Sequence, residues 1–396
     1  MAQGKDSKVP EIRFRGFSEK WTTKRVDEIA PLQRGFDLPT TVVKDGVHPV
    51  VYSNGILRCH NEYKCTGPGV VTGRSGTIGK VTYVSENYWP HNTALWVTNF
   101  FENNPLYVYY FYTQFKLDRF NAGSTIPTLN RNDVHAIKES TPCPEEQIQI
   151  GAYFKELDRL IGLHQRKHGK LVMLKQAMLQ KMFPQNGATT PEIRFKGFSG
   201  DWVEKVLLDD VQRVVDFRGR TPKKLGFDWS PSGYLALSAL NVKNGYIDFS
   251  VEAHFGNEEL YKTWMSDSEL HKNQVLFTTE APMGNVAQIP DDGKYILSQR
   301  TIAFEVKKSL SEDFLAVLLR SPLMVRKLSA LSSGGTAKGV SQRSLSSVTS
   351  SFPIDVEEQQ KIGTYFRQLD SLISKHATQL EKLKQLKSAC LEKMFV

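Results

Sequence analysis

A repeat with two separate frames constrains this chain more than anything else in it. The run from Pro10 to Ser18 (Pro-Glu-Ile-Arg-Phe-Arg-Gly-Phe-Ser) recurs from Pro191 to Ser199 with lysine in place of the second arginine. Trp21 answers to Trp202, and nine of these twelve positions are identical at a constant offset of 181. A longer block closes each half. Pro144 to Phe183 aligns without a gap to Val356 to Phe395 at an offset of 212, with 21 of 40 positions identical. The 396 residues are therefore a tandem duplication, and the second copy has gained about 31 residues between its framing blocks. The interiors diverge. Val70-Val71-Thr72 lines up with Val275-Leu276-Phe277, and Thr93-Ala94-Leu95-Trp96 with Thr301-Ile302-Ala303-Phe304. Apolar strand-like positions persist while the polar residues between them change, so the halves share a fold and perform different versions of one task.

The closing blocks predict long helices. Ile150, Leu157, His164, Leu171 and Met178 fall seven apart, with Phe154, Ile161, His168, Leu174 and Met182 between or beyond them. The second block repeats the stripe with Ile362, Phe366, Leu369, Ile373, His376, Leu380, Leu383, Cys390 and Met394; Leu386 answers to Leu174. Asp355-x-x-Glu358 reads as a capping box, and Pro144 followed by Glu145 and Glu146 suits a first turn. Gly162 and Gly169 weaken the first helix by about 1 kcal/mol each relative to alanine. At 1.5 Å per residue each helix reaches about 58 Å.

Chain order gives the expected architecture: a mixed α/β (α+β) protein with two tandem globular domains separated by two long helices. Residues 1–143 form the first domain, 144–184 the first spacer helix and 185–190 a linker. Residues 191–354 form the second domain and 355–396 the second helix. Pairing the stripes predicts an antiparallel coiled coil with pseudo-two-fold symmetry, its seam carried by Leu157, Ile161, His164, Leu171, Leu174, Leu369, Ile373, His376, Leu383 and Leu386. Two helices folded separately onto their own domains are the alternative.

Composition narrows the class. Hydrophobic residues at 40% and charged residues at 23% are those of a soluble globular protein. The longest apolar runs, Leu106 to Tyr112 and Phe314 to Leu319, fall far short of the roughly 18 residues that span a bilayer. No apolar run follows Met1, and the four cysteines (Cys59, Cys65, Cys143, Cys390) suit a reducing compartment. The expectation is a cytoplasmic protein without a membrane partner. The net charge of +9 is compatible with phosphate binding but does not require it.

Two similar, differently decorated domains on a stiff spacer can read two short sites at a fixed distance; symmetric DNA-binding dimers space half-sites about 34–36 Å apart. Here the sequence resembles the specificity subunits of type I restriction-modification enzymes along essentially its whole length. The resemblance rests on the repeated opening at 10 and 191, on Arg74-Ser75-Gly76-Thr77-Ile78-Gly79 and on Gly123-Ser124-Thr125-Ile126-Pro127-Thr128-Leu129-Asn130. The helix starts (Pro144 to Gln147, Pro353 through Gln359) and the Lys-Met-Phe helix ends at 181 and 393 complete it. The second half departs from the pattern at Val340-Ser341, where it lacks Pro-Thr-Leu-Asn. The resemblance implies that each domain is a target-recognition domain for double-stranded DNA and that the helices are a spacer ruler. It also implies partners: two modification subunits that methylate adenine N6, and restriction subunits in the full complex. S-adenosylmethionine, Mg and ATP would then belong to those partners, with no cofactor in this chain.

Candidate DNA contacts are basic and amide residues in turns. In the first domain these are Arg34, Arg74, Ser75, Lys80 and Asn92. In the second they are Arg218, Arg220, Lys223 and Lys224, which put four cations in seven residues, then Asn241, Lys243, Gln299 and Arg300. Arg and Lys pair with guanine, Asn and Gln with adenine; solvated surface residues or phosphate contacts are the plainer alternatives. Gly73 to Val81 is not a P-loop, because five residues separate its glycines and Val81 follows the lysine. A hairpin turn or a DNA-contacting turn remains for it. His164 and His168 lie at i, i+4, but the zincin glutamate is replaced by Gln165, and Cys59, His60 and Cys65 lack metal-ligand spacing. No methyltransferase motif, Ser-His-Asp order or carboxylate pair stands out, so the chain reads as non-catalytic. A scaffold with two protein-binding domains is the structural rival, a self-sufficient methyltransferase or nuclease the enzymatic one.

Overall fold

Between the framing blocks, each half is built from strands of two to six residues punctuated by glycine and proline turns. The structure, a computed structural model, describes residues 9–120, 127–185, 187–251, 254–332 and 339–396. Gly123 to Ile126 of the sequence motif lie outside the described residues. Two compact units emerge: residues up to Gln165 together with Thr378–Val396, and Arg166–Ala377. Both divisions fall inside a long helix.

In the first unit, strands β1 (Leu32–Arg34), β2 (His48–Tyr52), β3 (Gly55–His60), β4 (Gly69–Gly73), β5 (Val81–Val84), β6 (Trp89–Pro90) and β7 (Ala94–Val97) make two sheets. One is antiparallel in the order β1-β7-β4-β5; the other is β3-β2-β6, with β2 and β6 parallel. β4 is buried at every residue, as its Gly-Val-Val-Thr-Gly sequence allows. Helix α1 (Pro105–Gln114) starts where the Asn104 side chain accepts from the Leu106 and Tyr107 amides and Pro105 fills the first helical position. It buries Tyr107, Val108, Tyr110, Phe111 and Tyr112. Helix α2 (Pro144–Lys181) follows.

The second unit repeats this plan. Strands β8 (Val211–Asp216), β9 (Tyr234–Leu237), β10 (Phe255–Gly256), β11 (Val275–Thr278), β12 (Val286–Gln288), β13 (Ile296–Leu297) and β14 (Thr301–Val306) pair in the orders β8-β14-β11-β12 and β10-β9-β13, again with one parallel pair, β9 and β13. The added residues include helix α3 (Glu258–Met265) and the hairpin Val242–Lys243/Tyr246–Ile247. Helix α4 (Glu312–Arg320), capped by Ser311, takes the place of α1, and α5 (Val356–Lys393) is the second long helix. The protein is thus of mixed α and β class with tandem domains and two 38-residue helices.

The repeated blocks are the fastenings of each unit. Arg13 makes a two-pronged ion pair with the buried Glu146 at the start of α2 (2.7 Å for both bonds), and Arg194 does the same with Glu358 of α5 (2.8 Å). The next residue ties the helix start to the loop before α1 or α4. Gln147 accepts from the Asn104 amide and donates to the Pro142 carbonyl; Gln359 accepts from the Ser311 amide and donates to the Pro353 carbonyl. Glu358 is therefore taken by Arg194, and only the Asp355 half of the expected capping box forms, through the Glu357 amide at 2.7 Å. Gly151 and Gly363 permit these approaches: a Cβ at Gly151 would lie 2.9 Å from the Leu106 Cβ, and one at Gly363 2.3 Å from that of Asp313.

The Lys-Met-Phe ends plug the cores. Phe395 stacks on Tyr107 of the first unit at 5.5 Å, and Phe183 on Phe314 of the second at 5.8 Å. In both units the opening motif closes over the incoming helix end, through Ile12 N–H to the Lys393 carbonyl and Ile193 N–H to the Lys181 carbonyl. Ile150, Phe154 and Leu157 lie in the first core with Cys390 and Met394; Ile362, Phe366 and Leu369 lie in the second with Met182. Within each unit the two helices run antiparallel where they meet. Asp158 pairs with Lys387 at 2.5 Å and Tyr153 contacts Cys390 in the first; Lys175 pairs with Asp370 at 2.5 Å in the second.

The stripe needs one correction. Leu171 and Leu383 pack against their cores, and Ile161, His164, Ile373 and His376 are half-buried, but Leu174 and Leu386 are 40% and 45% exposed. At 3.6 residues per turn Lys175 lies about 40° around from Leu171, while Leu174 lies about 60° to the other side. The inward position therefore falls to Lys175 and Lys387, whose ammonium groups meet Asp370 and Asp158. Among the described residues no helix is long and apolar enough to cross a membrane.

Candidate nucleic-acid interface

In the first unit three loops meet on one backbone framework. The Arg74 and Ser75 amides both donate to the Thr93 carbonyl (2.9 and 3.1 Å), the Leu129 amide to the Arg74 carbonyl (2.8 Å) and the Gly76 amide to the Pro127 carbonyl (3.0 Å). Ser75 bridges Thr128. The second unit builds the same frame. The Thr279 amide donates to the Arg300 carbonyl (2.8 Å), the Val340 amide to the Thr279 carbonyl (2.9 Å), and Glu280 bridges Gly339. Ser75 thus corresponds to Glu280, Thr93 to Arg300 and Thr128 to Gly339; the strand register puts Ala94, not Thr93, at Thr301, one residue away from the alignment of the two sequences. Although the second half lacks the sequence Thr128-Leu129-Asn130, the backbone of that stretch is repeated at 339–341. Leu129 and Val340 are both buried, and Asn130 and Ser341 each cap a short helix, Arg131–His135 and Gln342–Leu345.

Of the five first-domain candidates, Arg74, Ser75, Lys80 and Asn92 lie outside the named strands and Arg34 is the last residue of β1. Arg34 is exposed 3.5 Å from Asp37, and the Asn92 amide donates to the same carboxylate. The Lys80 ammonium donates to the Asn54 carbonyl across the β2–β3 turn. Arg74 is half-buried, and among the described residues its guanidinium has no partner; Ser75 sits beside it. His91 links this edge to the sheet. Its amide donates to the Val51 carbonyl, its Nδ1 lies 2.9 Å from Thr93 Oγ1, and its ring contacts Tyr52 at 4.3 Å. Burial, with Arg58 adding to it and Asp37 opposing, holds its pKa below the ordinary histidine value.

The second-domain candidates divide into two groups. Arg218 forks onto Asp216, its Nη2 lying 2.5 Å from Oδ2. Arg220 donates to the Trp264 carbonyl and lies over the Phe217 ring at 4.3 Å, and its own carbonyl accepts from Gln299 Nε2. Asn241 is buried, with Oδ1 accepting from Ser238 N–H and O–H and Nδ2 donating to the Asp248 carbonyl. These side chains hold the loops in shape, which the density of cations in the sequence did not reveal. Lys223, Lys224 and Arg300 are exposed, and Lys243 is half-exposed on its hairpin. Lys224 donates to the Gly219 carbonyl, and Arg300 Nε lies 3.0 Å from Glu280 Oε1. Sequence reasoning missed Glu280, whose equivalence to Ser75 needs the backbone frame. It also missed the Asp158–Lys387 and Asp370–Lys175 pairs, although all four residues are identical between the two helix blocks.

A duplicated frame that displays different polar side chains at matched positions defines a recognition protein with two non-identical modules. The sequence profile described as "Type I restriction modification DNA specificity domain" matches residues 18–172 and 200–385. The chain belongs to this family. Two relatives come from Methanocaldococcus jannaschii. The type I restriction enzyme MjaVIII specificity subunit is 26% identical over 272 residues, which cover 66% of this chain and 63% of that protein. The putative MjaX specificity subunit is 24% identical over 265 residues, 65% of this chain and 59% of that protein. The aligned part therefore spans about three-fifths of those relatives. The crystal structure of a type I restriction-modification S subunit from M. genitalium matches with a TM-score of 0.70 at 12% identity, covering 98% of this chain and 99% of that one. It supports the fold.

Proposed function

We propose that this chain is the non-catalytic DNA-recognition subunit of a type I restriction-modification system, acting in the cytoplasm. Each domain reads one half of an asymmetric bipartite site in double-stranded DNA. The long helices set the unread gap and dock two modification subunits, and restriction subunits join the full complex. S-adenosylmethionine, Mg and ATP belong to those partners. One observation carries the reading: in a chain of this family, the same hydrogen-bonded frame presents Ser75, Thr93 and Thr128 in one unit and Glu280, Arg300 and Gly339 in the other. Identical frames with different side chains suit two different base sequences. Arg74, Lys80, Lys223 and Arg300 are the candidates for direct contact.

The test is methylome sequencing of a host carrying this chain with its modification partner. The expected result is a two-part motif with adenine methylation. Replacing residues 22–143 by those of a relative should change one half-site alone; a change in both would overturn independent reading. Binding should also weaken steeply between about 50 and 200 mM salt, because phosphate contacts release counterions. A flat salt response would favour a protein-binding scaffold.

A further inference from the structure

The two units end their parallel strand pairs differently. In the first unit the residues following β2 and β6 meet as two rings, Tyr52 at the end of β2 and His91 just after β6, 4.3 Å apart. The second unit has the same strand pairing, with Ala236 and Leu237 opposite Ile296 and Leu297 as Val50 and Val51 are opposite Trp89 and Pro90. It also has the same closing bond, Ser298 N–H to the Leu237 carbonyl, matching His91 N–H to the Val51 carbonyl. By this register Tyr52 becomes Ser238 and His91 becomes Ser298. Two rings give way to two hydroxymethyl groups, and a hollow of about 630 Å³ opens there, lined by both serines.

The rest of the lining is specific in character. Trp229 and His254 lie face to face, 5.3 Å apart at 13°, and Trp264 stands behind Trp229 at 5.8 Å. Gln299 is anchored through Nε2 to the Arg220 carbonyl, which leaves its Oε1 to accept. Lys223 and Arg300, both exposed, also line it. Aromatic faces, a few fixed polar groups and flanking cations are what a flat heterocycle attached to a phosphate chain requires. A base inside a duplex offers only its edge, so this hollow cannot be used without unstacking.

We propose that the second unit's hollow receives one nucleobase extruded from the DNA, against the Trp229–His254 aromatic wall, with Lys223 and Arg300 on its flanking phosphates. The inference rests on the DNA-recognition reading and adds that the two domains read by different means: the first by base edges, because Tyr52 and His91 fill the equivalent space, the second with one base out of the stack.

The experiment uses the full chain with its modification partner and the duplex identified by methylome sequencing. The fluorescent base 2-aminopurine replaces purines and pyrrolocytosine replaces cytosines, one position at a time, while permanganate probes thymines. The adenine that becomes methylated is left out, and anisotropy reports binding in parallel. At one position the fluorescence should change severalfold, or the thymine become permanganate-reactive, on binding. Trp229→Ala and the surface substitution His254→Ala should each abolish that signal while anisotropy still shows binding. Binding with no unstacked base at any position overturns the proposal, as does a signal that persists in both variants. Absence of binding by the unaltered complex would sink the DNA reading itself, an outcome separate from the other two.

Discussion

Removing the last three residues of the chain should unfold its first domain before its second. Met394 and Phe395 are 3% and 8% exposed in the core that holds Trp21, Leu95, Tyr107 and Phe154, residues far away in sequence. Phe395 stacks on Tyr107 at 5.5 Å and meets Phe154 at 6.1 Å. Truncating a buried phenylalanine to alanine costs about 3–5 kcal/mol. Phe395 is 8% exposed, so Phe395→Ala falls at the lower end, about 3 kcal/mol. At about 1.4 kcal/mol per tenfold, that is on the order of a hundredfold increase in the open population of the first unit. Hydrogen exchange resolved by peptide is the assay, because it reports opening free energies locally. Peptides covering residues 26–34, 94–97 and 107–115 should lose protection by about that factor, while 275–278 and 301–306 keep theirs. Phe183→Ala, the same plug in the second core, should invert the pattern. Loss of protection confined to residues 384–396 would refute the idea that the helix end is an integral part of the first core.

Asp370→Asn should destabilise the second unit by about 2–3 kcal/mol, since it removes the carboxylate from both Lys175, about one-fifth exposed, and Arg320, whose side chain is largely buried. In a double-mutant cycle by urea unfolding, the exchanged pair Lys175→Asp with Asp370→Lys should recover less than the full loss, because Asp370 also holds Arg320 at 2.7 Å. Stability of the first unit should fall as the pH drops below about 6.5. His135 Nε2 accepts from the Leu32 amide at 2.8 Å, and burial, opposed by Asp27, depresses its pKa. The unfolded imidazole then binds the proton more readily, so the contribution is complete above the unfolded pKa and lost as pH falls. Thermal unfolding of His135→Gln between pH 5 and 7.5 should show a shallower slope, with His91, also depressed by burial, still contributing in the same direction. Lys223→Ala should weaken DNA binding across sequences and reduce the salt slope by about 0.9. Arg220→Ala should instead lower thermal stability, because its guanidinium holds the Trp264 carbonyl.

The parts of this molecule legible in the sequence are those whose reason is local or repeated. The helix blocks announced themselves by period, and their two copies fixed the tandem organisation. The role of the identical residues was not legible. Arg13 and Glu146 are far apart in the chain, so nothing local signals their pairing, and Glu358 looked like half of a capping box because the pattern cannot show that Arg194 competes for it. The structural contacts of the loop cations were not legible for a similar reason. Arg218 and Arg220 look alike in sequence to Lys223, yet planar guanidinium groups are the side chains that fork onto Asp216 or stack on Phe217. Asn241 had the right chemistry for a base reader and the wrong burial.

The pattern of identity and difference between the halves follows from where the fastenings lie. Each long helix contributes its start to one unit and its end to the other, so a change in the Lys-Met-Phe end of one copy is felt in the core of the other. Both copies of the block must therefore fit both cores, which selects the same Glu-Gln clamp, the same glycine at the close approach and the same Asp–Lys pair. The frame around Thr93 and Arg300 is held by main-chain bonds, which any side chain can satisfy. The positions it presents are released from that constraint and can diverge one unit at a time. A chain assembled this way can exchange the interior of one domain without disturbing the other, provided the exchange begins after Trp21 or Trp202 and ends before Glu146 or Glu358. Moving a boundary past Glu146 would separate it from Arg13 and from the Trp21 indole, the two groups that donate to it. Such a chimera should lose stability by about 3–5 kcal/mol wherever a buried charge is left without its partner.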